Sequence, residues 1–329
     1  MFTILRWPIG ITILAIVLTA WFAGPQVALI VAILTILEIS LSFDNAVVNA
    51  KILARMNPYW QKIFLTIGIA IAVFGMRLVF PVTVVAIAAG LAPWSVLSMA
   101  LVNPDQYAHH LLSAHGVIAG FGGMFLYMIW LGFLHDKERE VTWTLFDKFA
   151  RIPEKNLVVA TSGLIVIILL GIVYGLSVAT SALFGYLTYL GLTALTDRLE
   201  RVSTTSVVSA GFASFMYLEV LDASFSFDGV TGAFAISNQI FVIALGLGLG
   251  ALFVRSLTVY LVREGTLAQY RYLEHGAHYA IGALAIMLFI SIKHELPEVV
   301  TGLVGVGFIL AALGHSIWEN RREQITTKT

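Results

Sequence analysis

Apolar runs of roughly 20 residues recur along the 329-residue chain, each long enough to cross a hydrocarbon core of about 30 Å. They predict ten helices, at about 8–24, 26–50, 62–89, 116–134, 156–176, 179–196, 206–236, 239–262, 276–292 and 297–318. The stretch 157–196 is ambiguous: its turn signals are only Gly175-Leu176-Ser177 and Thr180-Ser181, so it reads as one overlong helix or a tight hairpin. Charge placement separates the two, because Lys and Arg flanking short loops stay cytoplasmic. With ten helices, sixteen of the nineteen Lys and Arg residues fall on one side and Lys293 alone on the other, while Arg77 and Arg255 lie within helices. A single helix over 157–196 would scatter the later cations across both sides. The pattern therefore predicts an all-α polytopic membrane protein of about ten transmembrane helices with both termini cytoplasmic.

Composition agrees. The chain is 59% hydrophobic and 12% charged, whereas soluble domains carry about 25% charged residues. The zero formal net charge gives no sign of a nucleic-acid partner, and the lack of cysteine removes disulfides and thiolate metal sites. Arg6 precedes the first apolar run as in a signal peptide, but no A-x-A cleavage pattern follows, so an uncleaved first helix is expected. Two halves are expected. The first, 1–155, holds helices 1–4 and ends in a charged cytoplasmic linker, 135–155, with Trp143 and Phe146; the second, 156–329, holds the rest. The stretch 90–115, with Pro93, Asn103-Pro104-Asp105, His109 and His110, reads as a re-entrant or interfacial segment.

An eight-residue phrase occurs twice. Glu38-Ile-Ser-Leu-Ser-Phe-Asp44-Asn45 returns 184 positions later as Asp222-Ala-Ser-Phe-Ser-Phe-Asp228-Gly229. In the helix after each copy, Gln61 and Arg77 keep the spacing of Gln239 and Arg255, and Gly68 matches Gly246. Ala114-His115 and Ala277-His278 open the next helices, each with a methionine nine residues after the histidine. Helices 2–4 thus correspond to helices 7–9. An odd number of helices separates the equivalents, so the halves insert in opposite directions, as an inverted repeat.

Ionisable groups at membrane depth are expensive and mark functional sites by default. Glu38, Glu219 and Asp222 are expected near the midplane, with Asp44 and Asp228 displaced towards opposite sides. On an unbroken helix Glu38, Ser42, Asn45 and Asn49 share one stripe; Asp44 and Ser40 fall on another face, Asp44 about 240° away. Likewise Glu219, Asp222 and Ser226 share a stripe that excludes Ser224 and Asp228. Either each helix presents two polar faces or the Ser-x-Ser-Phe-Asp stretches unwind, and unwinding, with serines re-satisfying the backbone, is favoured. Carboxylates, amides and hydroxyls are hard oxygen donors suited to Mg²⁺, Ca²⁺ or Mn²⁺. Glu38, Asp44, Asn45, Glu219, Asp222 and Asp228 are the candidate ligands, supported by Ser40, Ser42, Asn49, Ser224 and Ser226. Arg77 is expected to be a counter-charge; Arg255 either joins it or snorkels to the interface. Five acids against two arginines leave three negative charges, which a divalent cation and a proton would neutralise.

Blander roles fit the remaining chemistry. His115, His278 and His315 lie near helix ends and suit capping or interfacial roles; Met56, Met76 and Met216 suit packing. Glu295 and Glu298 favour a helix dipole. Recurrent glycines such as Gly122-Gly123 and Gly246-x-Gly248-x-Gly250 permit close helix approach.

The phrase Glu38-x-Ser-x-Ser-Phe-Asp44-Asn45, the segment Gly75-Met76-Arg77 and the second phrase over Asp222–Asp228 resemble the TerC family of integral membrane proteins, within the LysE-type transporter superfamily. The resemblance spans about 26–292 and is nearest the branch known as a domain of unknown function. It implies a secondary transporter of the bacterial plasma membrane exporting Mn²⁺ as substrate, without a prosthetic group and without enzymatic activity. The same resemblance leaves open a membrane partner that supplies metal to secreted enzymes, or an exporter of another small solute such as an amino acid or organic cation, with secretion machinery or a second copy of the chain as open partners beside the lipid bilayer. Gly229 departs from the pattern where the first copy has Asn45, so the halves need not contribute equal ligands. Two transmembrane aspartates are also the core requirement of an intramembrane aspartyl protease. The Tyr-Asp, Gly-x-Gly-Asp and Pro-Ala-Leu signatures of that class are all missing, which argues against it.

Overall fold

The computed structural model describes residues 2–135, 143, 155–202, 207–237, 239–263, 270–294 and 296–326. The side chains of Asp44, Asp228 and Glu298, all of Glu295, and residues 136–142 and 144–154 of the linker lie outside the described residues. Among the described residues every element is helical. In chain order these are α1 (Phe2–Ala23), α2 (Pro25–Leu41), α3 (Phe43–Arg55), α4 (Pro58–Ala70, running on through the wider-wound Ile71–Val79), α5 (Phe80–Ala89), α6 (Pro93–Val102), α7 (Pro104–Ser113), α8 (His115–Leu134), α9 (Lys155–Tyr174), α10 (Leu176–Val202), α11 (Val207–Ile236), α12 (Ile240–Arg263), α13 (Leu273–Ser291) and α14 (Glu298–Thr326). Eight helical stretches of the described residues are long and apolar enough to cross a membrane, and α2 with α3, bent by 59° at Ser42, would make a ninth. The 30-residue α11 carries the second acidic phrase. The chain is a multi-pass membrane protein.

Local chemistry explains the boundaries. Gly24 and Gly175 take φ of 93° and 96°, a region closed to most L side chains. Gly175 turns α9 back onto α10: Gly171 meets Ala179, and Gly163 meets Tyr186. The ambiguous stretch is therefore a hairpin. Asn57 and Asn103 cap their helices by accepting from the N–H groups of Trp60 and Gln106, each with proline following at the first helical position. The 90–115 stretch folds as the two short helices α6 and α7, with Tyr107 and Leu111 fully buried.

Two features depart from a simple reading of the apolar runs. The helix expected over 62–89 starts earlier, at the Asn57 cap, and winds as a π-helix over Ile71–Val79, where the Phe80 N–H reaches the Gly75 carbonyl. Pro81 just beyond lacks an N–H and its ring would crowd the preceding turn, which favours this wider winding. The run expected over 26–50 breaks at Ser42 (φ −97°, ψ 17°), whereas the equivalent stretch of α11 continues unbroken. The expectation of unwinding in both phrases is thus corrected: one opens and one does not. Asn45, in the first turn of α3, reaches across to Asp222; Gly229 has no side chain to return that pull.

Glycines set how closely the helices approach. A Cβ at Gly246 would lie 2.5 Å from Leu34 Cβ, and one at Gly250 2.5 Å from Glu38 Cβ, so α12 presses directly on α2. Gly185 on α10 meets the Phe121 carbonyl of α8, and Gly276 on α13 meets Ala312 on α14. Without a hydrophobic force between helices in lipid, such close van der Waals packing holds the bundle. Its outer faces are apolar, with Trp21 and Phe22 on α1 and Ile168 and Ile172 on α9 exposed towards the bilayer.

Gly250→Ala should destabilise the detergent-solubilised protein by about 1–3 kcal/mol, the range for overpacking a filled core. Gly307→Ala, where nothing lies within 4 Å of the added carbon, should be neutral or stabilising by up to about 1 kcal/mol from helix propensity. Thermal unfolding midpoints of the two variants check this; equal midpoints would mean that the α2–α12 contact is not tight.

Candidate functional site

The stripes predicted on the two phrase-bearing segments face each other. Glu38 lies against Gly229, whose added Cβ would sit 3.0 Å from Glu38 Oε2, and Asn45 Nδ2 donates to Asp222 Oδ1 at 2.6 Å. Moving up α2–α3 from the first contact to the second means moving back along α11, so the facing segments run antiparallel. The four residues are equivalent two by two in the repeated phrase. Other contacts pair likewise. Thr35 Oγ1 reaches the Gly246 carbonyl at 3.1 Å, while Glu219, at the position matching Thr35, comes within 3.0 Å of a Cβ built on Gly68.

Two buried arginines join the carboxylates, each only 2% exposed. Arg77 pairs with Glu38 through Nη2, while its Nη1 donates to the Ala72 carbonyl at 2.7 Å and stands 4.0 Å from Asp222 Oδ2. Arg255 Nη2 donates to Asp222 Oδ2 at 3.0 Å and to Glu219 Oε1 at 3.2 Å. Its guanidinium lies 3.8 Å from the Phe64 ring centroid, and Gly68 leaves it room, since a Cβ there would be 2.8 Å from Nη1. Arg255 is therefore a counter-charge and does not snorkel. Asp222 is the hub, bonded from α12 by Arg255 and from α3 by Asn45, with Arg77 at its edge.

The serines divide. Ser42 Oγ donates to Glu38 Oε1 at 3.0 Å. Ser40 is exposed and bonds the Ile36 carbonyl, so it is corrected out of the site: it points off the buried stripe, as the 100° step per residue requires. Ser224 bonds the Val220 carbonyl and packs beside Gly122 of α8, away from the carboxylates. Ser226 is 3% exposed and Asn49 1%; Ser226 Oγ and Asn49 Oδ1 have no hydrogen-bond partner among the described residues, and neither has Arg77 Nε. Each such group costs about 1–3 kcal/mol when left unpaired. Of the expected ligands, Asp44 and Asp228 lie outside the described side chains. Glu38, Asn45, Glu219 and Asp222 are brought together. Among the described residues no three acidic or histidine side chains form a metal-holding group by themselves, because guanidiniums stand between the carboxylates. The donor set is all hard oxygen, and the unpartnered oxygens of Ser226 and Asn49 fit a small oxygen-seeking cation or its water.

The histidines lie elsewhere. His115 bonds Ser291, His278 stacks on Phe133, and His315 accepts from Trp143 Nε1 at 2.8 Å while stacking on Tyr272. Sequence reasoning missed Thr35, Phe64 and the Ala72 carbonyl. The match of Gly68 with Gly246 pointed to the helix faces involved, but a carbonyl in the π-wound stretch that accepts from Arg77 leaves no trace in residue types beyond Pro81.

Comparison with known proteins finds a relative that is a membrane protein. A Bacillus subtilis (strain 168) relative described as "Uncharacterized membrane protein YceF" is 30% identical over 121 residues, 36% of this chain. The chain covers 45% of that relative's length, about half of it. No solved structure matches the chain. The family model described as "Protein of unknown function (DUF475)" matches residues 43–323, from the break in the first acidic phrase to the last helix. The chain belongs to the DUF475 family.

Proposed function

We propose that this protein is a secondary transporter that exports a hard divalent cation, Mn²⁺ by its resemblance to TerC proteins, from the bacterial cytoplasm through an intramembrane carboxylate site. What carries the reading is Asp222: a carboxylate of the second phrase bonded to an amide of the first, with arginines of both repeat-equivalent helices beside it. A shared, buried, ionic centre between two oppositely running copies of one phrase is the layout of an alternating-access carrier built as an inverted repeat. Three described carboxyl groups stand with two guanidiniums, one more acid than base, and Asp44 and Asp228 add acids to both phrases. An entering cation would compete with Arg77 and Arg255 for the carboxylates, and a proton would balance the charge that a divalent ion leaves over. The carboxylates would bind the ion, Asn45 would orient Asp222, and the arginines would refill the positions between cycles. Supply of metal to secreted enzymes needs no different chemistry and would follow from the same export.

Purified protein in proteoliposomes tests this directly. With an imposed pH gradient, Mn²⁺ flux should exceed Mg²⁺, Ca²⁺ and Zn²⁺ flux, and Asp222→Ala should reduce it by at least about tenfold, the effect of ~1.4 kcal/mol on a rate. Absence of flux for every ion from monodisperse, correctly inserted protein would sink the carrier reading in favour of a non-transporting role.

A second pair of variants separates the ion pair's structural part from its transport part. Arg77→Met alone should destabilise by about 3–5 kcal/mol, since it strands the buried Glu38 carboxylate. Adding Glu38→Gln should recover most of that loss, because removing both charges of a buried pair is often nearly neutral. The double variant should nevertheless remain unable to transport; normal flux from it would remove this pair from the cation path.

A further inference from the structure

Along the chain Ser42 falls between Glu38 and Asn45, and Ser226 between Asp222 and Gly229, so the serines that occupy the same place in the repeated phrase lie within the stretches bounded by the Glu38–Gly229 and Asn45–Asp222 contacts. Because the facing segments run antiparallel, these two positions mark the point about which one copy of the phrase maps onto the other. Glu38 lies one helical turn from Ser42 and Asp222 one turn from Ser226, so each serine has its own carboxylate on the same stripe. The two hydroxyls are nonetheless treated differently. Ser42 donates to Glu38, whereas Ser226 Oγ, in a residue only 3% exposed, has no partner among the described residues, and Asp222 accepts from Arg255 and Asn45 instead.

We propose that Ser226 and Ser42 are direct cargo ligands at this midpoint, flanked by Asp222 on one side and Glu38 on the other, and that the cation is handed between the halves there. This rests on the carrier reading above and adds to it the place of the ion and the residues that set its hardness. A hydroxyl oxygen is a neutral hard donor, so a serine pair between two carboxylates favours Mg²⁺, Ca²⁺ and Mn²⁺ over thiophilic ions. The backbone agrees with an exchange of roles. The chain is broken at Ser42, where the hydroxyl is engaged, and continuous at Ser226, where it is not. In the oppositely facing state the copies swap: Ser226 donates to Asp222, α11 opens at that residue, and Ser42 is released.

The natural absence of cysteine makes the test direct. Replacing the central oxygen by sulfur, Ser226→Cys, puts one thiol at the midpoint of an otherwise thiol-free protein. Mn²⁺ binding is read by the loss of the free-ion electron paramagnetic resonance signal, and Cd²⁺ binding by the sulfur-to-metal charge-transfer absorbance. The wild type should bind Mn²⁺ and show no such absorbance. Ser226→Cys should gain the cadmium band and lose Mn²⁺ affinity by about tenfold to a hundredfold, Ser226→Ala should show the same Mn²⁺ loss without the band, and Ser226→Thr should retain Mn²⁺ binding. Ser42→Cys, the equivalent position, should behave as Ser226→Cys and serves in its place if that variant does not elute as a folded species. Wild-type affinity in Ser226→Ala, or no cadmium band in either cysteine variant, overturns the proposal while leaving the carrier reading intact. Failure of the wild type to bind any Mn²⁺ sinks the carrier reading and this inference with it.

Discussion

The arrangement depends on keeping two guanidiniums charged inside an apolar bundle. A charged group at mid-bilayer costs about 3 kcal/mol on insertion scales and more on an isolated helix. Arg77 and Arg255 are each only 2% exposed. Each must therefore find its compensation within the protein, and Asp222 lies beside both. A carbonyl and an aromatic ring complete the solvation: Ala72, within the wider-wound turn, accepts from Arg77, and the Phe64 ring lies 3.8 Å from the guanidinium of Arg255. The glycines at 68, 246 and 250 follow from the same need, because helices bearing these charges must approach within bonding distance.

This constraint explains why small residues sit beside the charged ones. Gly250 allows Glu38 to lie directly on α12, and Gly68 leaves space that Arg255 occupies. A methyl group at either position would act first on the charge cluster and only secondarily on packing at large. By contrast, Gly307 and Gly314 on α14 have open space around them and carry no such duty. Close approach and charge burial are one problem here, solved by the same residues.

Much of this was legible in the residues. Twenty-residue apolar runs placed most helices, and the distribution of Lys and Arg argued for a turn in 157–196, where Gly175 indeed reverses the chain. The helical stripe grouped Glu38, Ser42, Asn45 and Asn49 and set Ser40 apart; the four are buried and Ser40 is exposed, although the bend at Ser42 interrupts the helix between them. What could not be read was how the stripes engage. Residue spacing says which side chains share a face, but not that Asn45 selects Asp222 or that the guanidiniums stand between the acids. The break at Ser42 without one at Ser226 was equally hidden, since both phrases carry the same two serines, phenylalanine and aspartate. One difference, Asn45 against Gly229, lets the first copy reach a partner on another helix. Ten spans are not established by the described residues; eight stretches and one bent pair meet the length and apolarity that a bilayer demands.

A cluster whose only duty was to lock helices together would do best with equal numbers of opposite charges and no spare polar atoms. This one has three carboxylates for two guanidiniums, and it leaves Ser226 Oγ, Asn49 Oδ1 and Arg77 Nε without partners among the described residues. Buried, unbalanced and under-bonded polarity weakens a static scaffold, because replacing such groups by well-packed apolar residues is commonly neutral or stabilising. It suits a site that must release and recapture charge, where every carboxylate already saturated by donors would be a carboxylate no cation could win. On the proposed reading, the imperfect pairing is therefore what leaves the centre able to exchange an arginine for a metal ion.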